Sequence, residues 1–392
     1  MSNSKPFKLA LLPRVALEHT LRQFYLIDLV QITLCSKKMR RNLEAINTNI
    51  LLVEIKLDPA ETLVKLYFQN DVNYITFEWH LTTEEIDKKD VHLHCREPVG
   101  PLALGDLRLA DNWKITAADK MFTVVKEEDR LETGKALLEF FLDTFHCSSK
   151  FFNLNLAALP KLERFLEWGQ SRECESMDLL NGTEEDRIAV LNHVRITKRL
   201  HLRSKLPEGF VHETLLTVRW LFSNENSSMS KEVLMQRNCE STAIYNEVSI
   251  ESSDMVEWLR KWMNGGYDKI RIYQFQIKSD AIDKFIDDLL DAFKWTKYDS
   301  NSTQQHFRDG SELYNLAYAY YLKRSDGKHL TMLTTDPGRI WFFVWRRVPS
   351  SEIPRGMREY KYVHYDKFRL LEPLLPTVFA TDADVLKDLE TY

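Results

Sequence analysis

Glycine is scarce in this chain, with 12 in 392 residues, roughly half the ~7% usual in proteins. Phosphate-cradling loops need glycine so that backbone N–H groups can approach an anion, and neither G-x-G-x-x-G nor G-x-x-x-x-G-K-[ST] occurs. The nearest segment, Thr133-Gly134-Lys135-Ala136, carries Asp129 in place of the first P-loop glycine and Ala136 in place of the Mg²⁺-binding hydroxyl, so it is rejected as a nucleotide site. Cysteine is also sparse. Cys35, Cys95, Cys147, Cys174 and Cys239 are odd in number and scattered, which reads as reduced, mostly buried thiols of an intracellular protein. The sequons beginning at Asn181, Asn226 and Asn301 are then chance matches. No run of about 18 apolar residues exists, which excludes a membrane-spanning helix. The opening MSNSKPFKLALLPR has no apolar core of about 7–15 residues and no small-residue cleavage site, so it is not a signal peptide. Neither charge sign dominates: 53 basic and 58 acidic residues leave a net charge of −5. That is no footprint for nucleic acid.

What is present is an ordinary globular balance, 44% apolar and 28% charged, in a chain long enough for two or three packed units. In the first forty-five residues Leu17, Leu21 and Phe24 fall at i, i+4, i+7 on one face of a helix that Pro13 can start. Asp28 is placed to cap a second helix carrying Leu29 and Ile32, and Ser36 opens a third over 37–43. Three helices this short bury little surface alone and usually lean on a partner. Their apolar content predicts that some of it faces another protein.

These residues resemble an F-box. Leu12-Pro13, Leu17 and Leu21, Asp28-Leu29 and Cys35-Ser36-Lys37 stand at the motif's intervals over residues ~8–50, with Val15 where many F-boxes place glutamate. The resemblance implies docking on the Skp adaptor, which tethers such a module to a cullin–RING ubiquitin ligase. Docking of this kind works through a few desolvated apolar anchors, here expected to be Leu12, Pro13, Leu17, Leu21 and Leu29. The alternative is that these side chains only hold the three helices together. The basic cluster from Lys37 to Arg41 reads as a solvated helix face rather than a nuclear-import or nucleic-acid patch.

Beyond residue 50 the pattern is strand-like, with runs at 50–57, 63–68, 74–81, 91–94 and 121–125 separated by turn residues. A helix over 131–145 follows. Short strands (152–156, 176–180, 199–203, 243–250, 269–277) then alternate with helices at 162–168, 184–193, 231–236 and 254–263. Strand starts recur every 23–26 residues with one gap near double that, a spacing within the leucine-rich-repeat range. Ser279 is expected to cap a strongly amphipathic helix over 279–293, and a meander follows at 316–323, 329–334 and 340–345. The expected fold is α+β or α/β. Residues 1–50 form the three-helix F-box, 51–130 a strand-rich connector, and 131–348 a degenerate leucine-rich-repeat-like βα solenoid ending in an antiparallel meander. Residues 349–392 form an irregular tail.

Residues 135–345 bear a second resemblance, to the F-box-associated type 2 (Sdz-type) region of a nematode-expanded family. It is carried by Asp143-Thr144-Phe145-His146-Cys147, Val233-Leu234-Met235 with Asn238-Cys239, Ser253-Asp254-Met255 leading into Trp258–Met263, Lys323-Arg324-Ser325-Asp326-Gly327, and Phe343-Val344-Trp345. Together the two resemblances imply a non-enzymatic substrate receptor of a Skp–cullin–F-box ligase in cytoplasm or nucleus, needing no cofactor. Its target protein is expected on the exposed sides of the repeat strands around Asp178, His201, Asn246 and Gln274. The alternatives are an adaptor-binding scaffold without a substrate and an α/β enzyme that mimics an F-box. His92-x-His94-Cys95 lacks partners to complete a metal site, no G-x-S-x-G or H-E-x-x-H occurs, and the acidic pairs read as solvated faces. Cys147 and Cys239 read as buried thiols, and Trp258, Trp262, Trp341 and Trp345 as core.

Overall fold

Alternation of apolar and polar side chains over 50–82 becomes three long strands, and the amphipathic stretch after residue 130 becomes the helix that covers them. The computed structural model describes residues 9, 12–21, 23–44, 50–58, 61–69, 74–83, 97–98, 102–104, 107–109, 112–115, 120–147, 149–159, 162–207, 209–224, 229–297, 306–309, 312–315, 319–335 and 338–345. The expected strand at 91–94 and the tail at 349–392 lie outside them. The fold is mixed α and β, in two units, Met1–Asp186 and Arg187–Tyr392. Among the described residues no helix is long and apolar enough to cross a membrane.

The first unit begins with helices α1 (Arg14–Leu21), α2 (Leu26–Cys35) and α3 (Lys37–Glu44). Strands β1 (Ile50–Leu57), β2 (Thr62–Gln69) and β3 (Tyr74–Thr82) follow as an antiparallel meander. The short strands β4 (Glu97–Pro98), β5 (Leu102–Leu104), β6 (Leu107–Leu109), β7 (Asn112–Ile115) and β8 (Lys120–Val124) come next. β8 lies parallel to β3 and antiparallel to β7. After α4 (Arg130–Phe145), β9 (Lys150–Asn155) runs parallel to β1; α5 (Leu162–Leu166) leads to β10 (Glu173–Leu180), parallel to β9. α6 (Glu184–His193) begins in this unit and ends in the next. Thr183 caps it as a reciprocal pair: the Asp186 N–H donates to Thr183 Oγ1 at 3.2 Å and the Thr183 N–H to Asp186 Oδ2 at 2.9 Å.

The pleat divides this sheet cleanly. Val53, Ile55, Val64, Leu66, Phe77, Trp79 and Met121 are buried on the side where α4 packs against β1, β2 and β3. Phe77, Trp79 and Phe141 form an aromatic cluster with centroids 6.0–6.3 Å apart, Phe77 meeting each of the other two edge to face. The Trp79 indole donates to Thr123 Oγ1 at 2.9 Å, and Thr123 donates to Asn112 Oδ1 at 2.6 Å, so the buried polar atoms are paired in a chain. On the other side Glu54, Lys65, Glu78 and Lys120 stand opposite one another in register, alternating in charge across four strands.

The second unit builds parallel strands β11 (Arg195–Leu202), β12 (Trp220–Ser223), β13 (Ser241–Glu247) and β14 (Ile272–Gln276), linked by helices α7 (Glu213–Thr217), α8 (Lys231–Gln236) and α9 (Ser252–Met263). Helix α10 (Ile282–Ala292) and strand β15 (Thr296–Lys297) follow, with hairpin β16 (His306–Asp309) and β17 (Glu312–Asn315). Strands β18 (Tyr320–Lys323), β19 (His329–Thr335) and β20 (Arg339–Trp345) close the unit as an antiparallel meander, β20 pairing with β14. β12 fills the double-length gap in the sequence pattern. Only four residues long, it is too brief to show a period. Two capping expectations are corrected. α10 starts at Ile282 after Ala281, without a side-chain cap and with Ser279 outside it, and Asp28 sits inside the first turn of α2 instead of capping it. There its carboxylate still faces the positive end of the helix dipole.

Helices of five or six residues leave most of their carbonyls without intrahelical partners. Side chains from elsewhere in the chain supply the donors. Buried Arg237 spans Leu215 O and Val218 O at the end of α7 and also binds Thr242 Oγ1 and Ser241 O. The Tyr273 and Tyr267 hydroxyls donate to Leu234 O and Met235 O at the end of α8. Arg324, buried against the Trp262 ring, donates to Trp262 O and Gly266 O after α9 while forking onto Asp326. In the first unit Lys135 donates to Arg164 O in α5 at 2.8 Å.

Gly134, the residue of the rejected P-loop segment, works by its lack of a side chain. A Cβ there would lie 2.8 Å from Thr62 Cγ2 and 3.3 Å from Ile55 Cδ1, so glycine lets α4 approach the sheet. Overpacking costs about 1–3 kcal/mol, against a helix-propensity gain of about 1 kcal/mol for alanine over glycine. Gly134→Ala is therefore expected to lower the melting temperature, and adding Thr62→Ser to recover it. A rise in melting temperature for Gly134→Ala alone would contradict this packing.

Candidate functional site

The N-terminal helices sort their apolar residues into two sets. Leu17 and Leu21 of α1, Ile27, Leu29 and Val30 of α2, and Met39 and Leu43 of α3 are buried. Pro13, just before α1, is exposed. So are Val15 at 69%, Phe24 at 37% and Tyr25 at 65%; the other large hydrophobic residue exposed among the described residues is Val211. Val15 lies two positions before Leu17, about 200° round a helix of 3.6 residues per turn, which turns it away from the buried face. Phe24 was expected on the Leu17–Leu21 face, but α1 ends at Leu21, so the helical register no longer applies to it.

This segment is fastened to the rest of its unit through α3. Arg40 stacks over the Phe140 ring at 5.0 Å and pairs with Glu44 at 3.0 Å, and Asp143 stands 4.0 Å away. The His146 Nε2 donates to Glu44 O, at the end of α3, from 2.7 Å. His146 itself ends α4 in the left-handed conformation, φ 51°. On the outer side of α3, Lys37, Lys38 and Arg41 are exposed. The N-terminal helices thus carry exposed apolar residues in and around α1 and before α2 and exposed basic residues on α3, and α3 is tied to α4 through Arg40 and His146.

Of the five expected adaptor anchors, Leu17, Leu21 and Leu29 are interior, Leu12 is half-buried and Pro13 is exposed. The exposed patch adds Val15, Phe24 and Tyr25, which the sequence reading did not assign to docking. The available signal was Val15, an apolar residue on the polar side of α1.

The expected target residues are not brought together on an open surface. Asp178 and Gln274 are completely buried, His201 is half-buried beside Phe222, and the Asn246 side chain lies outside the described residues. The expectation of exposure is corrected for Asp178 and Gln274. Strands with parallel neighbours commonly bury both faces, so pointing away from the helices does not mean pointing into water.

An open groove of about 520 Å³ runs between α4 and α5, with Glu132, Lys135 and Glu139 on one rim and Arg164, Glu167 and Trp168 on the other. Its polar groups are largely spent on each other. Lys135 binds Glu132 and Arg164 O, and the Trp168 indole donates to Glu139 Oε1 at 2.6 Å. Among the described residues no group of three His, Cys, Asp or Glu could hold a metal ion; His92, His94 and Cys95 lie outside them. Trp258, Trp262 and Trp341 are buried, with Trp258 stacked on Tyr267 and tilted against Tyr273, each at 5.1 Å. Cys147, Cys174 and Cys239 are buried thiols outside any disulfide. Burial pushes the Cys147 thiol up to about 11 and that of Cys174 upward as well; both stay protonated at neutral pH, and a thiol is a poor nucleophile.

No family model matches the chain, and no solved structure matches it. It is similar to Uncharacterized protein F59B2.9 of Caenorhabditis elegans, at 23% identity over 360 residues that cover 86% of this chain and 79% of that protein.

Iodoacetamide treatment of the native protein, followed by peptide mapping, is expected to leave Cys147, Cys174 and Cys239 unmodified until denaturant is added. Labelling of any of the three at the rate of a free peptide thiol would contradict the burial described.

Proposed function

We propose that this chain is the substrate-recognition subunit of a Skp–cullin–F-box ubiquitin ligase. Residues 1–50 act as the F-box that docks on the Skp adaptor, and 131–348 hold a target protein. The observation that carries this reading is the gathering of exposed Pro13, Val15, Phe24 and Tyr25 around α1 and the start of α2. Large exposed apolar residues suit an interaction site, and here they fall close together in sequence within the F-box-like segment. The buried leucines hold the helices in place, and the exposed set makes the contact. Lys37, Lys38 and Arg41 supply a basic border that suits an acidic adaptor surface and speeds encounter.

The parallel strands joined by short helices in the second unit, with starts at 195, 220, 241 and 272, support the reading of 131–348 as a leucine-rich-repeat-like recognition region. In this scheme the chain supplies placement and not chemistry. Holding a target's lysines near the charged conjugating enzyme raises their effective concentration, and the bond-making groups belong to the other subunits. A second reading is an adaptor-binding scaffold with no substrate; the complete burial of Asp178 and Gln274 favours it over a target site centred on those two residues.

The test is co-expression of the full chain with the Skp adaptor, with mass spectrometry of what co-purifies. The wild-type chain is expected to retain the adaptor and a further protein; adaptor alone would select the scaffold. Val15→Glu with Tyr25→Ala, both on exposed positions, is expected to weaken adaptor binding by about 2–4 kcal/mol, roughly 30- to 1,000-fold, with an unchanged circular dichroism spectrum. Undiminished adaptor binding by that variant would contradict the docking surface.

A further inference from the structure

Two histidines outside the docking surface are held in opposite protonation states by their hydrogen bonds. His80, on the charged face of the first unit, has Nδ1 2.8 Å from Glu61 Oε2 and Nε2 3.2 Å from Glu78 Oε2. Carboxylates accept but do not donate when ionised. Lys65 and Lys120 keep Glu78 ionised from 3.0 and 2.9 Å, and Lys56 stands 4.0 Å from Glu61. Both ring nitrogens must then carry hydrogen, which makes His80 an imidazolium. Its ring stacks on Phe122 at 4.7 Å. The charged groups around it are thus Lys56 from β1, Glu61 and Lys65 from before and within β2, Glu78 from its own strand and Lys120 from β8.

His212 is the reverse. It caps α7 through Nδ1, which accepts the Thr214 N–H at 3.1 Å, while Nε2 donates to Asn192 Oδ1 of α6 at 3.1 Å. An accepting Nδ1 has no proton, so this ring must be neutral. Among the described residues the charge acting on it is Glu213 of its own helix. Protonation would put an N–H against an N–H and remove the cap.

We propose that these two histidines form opposed pH-sensitive locks: the His80 clamp secures the β1–β2 turn to β3 only when protonated, and the His212 cap secures α7 only when neutral. Both locks are closed around neutral pH. Alkaline conditions loosen the first unit and acidic conditions loosen the second.

The electrostatics run the same way. Burial by itself would lower the His80 pKa, but Glu61 and Glu78 outweigh it and hold it above the ordinary value. Burial draws the His212 value below the ordinary one. With an ordinary pKa of about 6.5, the His80 contribution is complete below that pH and fades as pH rises through its raised folded value. The His212 contribution is complete above about 6.5 and fades as pH falls toward its depressed value.

The experiment is a pH series of imidazole ¹⁵N spectra on the full chain, paired with hydrogen exchange corrected for intrinsic rates. His80 is expected to show two protonated nitrogens at pH 6, and His212 a bare Nδ1 at pH 7. Exchange over 61–63 should rise several-fold on going from neutral to alkaline pH, and over 213–217 on going from neutral to acidic pH. His212→Asn, which keeps a capping acceptor without a titrating group, should abolish the acid response; His80→Gln should abolish the alkaline one. A neutral His80 at pH 6, a protonated His212 Nδ1 at pH 7, or acid loosening that persists in His212→Asn would overturn the proposal.

Discussion

The constraint on which the second unit depends is the satisfaction of carbonyl groups at the ends of very short helices. α7 has five residues and α8 six, so neither can close more than one or two of its own hydrogen bonds. In the interior each bare carbonyl costs about 1–3 kcal/mol. The chain meets this with long donor-rich side chains. The Arg237 guanidinium joins the end of α7 to Thr242 and Ser241 of β13, and Arg324 plays a like part at the longer, twelve-residue α9, joining its end to the β18–β19 turn. Burial draws the Arg237 pKa down to about 10, which still leaves it charged at neutral pH. A buried charge of this kind is tolerated because its donors have acceptors, and the fork shape of arginine reaches several carbonyls at once.

This constraint explains where the sequence was legible. α6 and α8 lie at the boundaries expected from the chain, because Thr183 and Ser230 mark their starts through local side-chain to backbone bonds. The alternating pattern of β1 to β3 was equally plain. β12 was not, since a four-residue strand gives no period and its place is set by neighbours on both sides. The roles of Arg237 and Arg324 were also hidden: their partners are backbone atoms up to 62 residues away, and backbone carries no sequence signal. Gly134 shows the same limit, since the need for its missing side chain arises from Thr62 and Ile55.

The candidate site was legible to a different degree. Helical spacing identifies which residues share a face, and it placed Leu17 and Leu21 together. It does not say what covers that face. The interior takes those leucines, and the outward patch consists of residues that break the pattern: Val15 on the polar side, Phe24 past the helix end and Tyr25 just before α2. The strand residues Asp178 and Gln274 repeat the lesson, being on the side away from the helices and yet fully buried.

The short helices stand because buried donors from elsewhere in the chain complete their ends. Native-state hydrogen exchange over residues 213–223 in Arg237→Met tests it most directly. Loss of the guanidinium leaves Leu215 O and Val218 O bare, and protection there should fall by about 100- to 1,000-fold, equivalent to about 3–4 kcal/mol. Protection within about threefold of the wild-type chain would mean that the helix ends do not depend on that side chain, and the claim would fail.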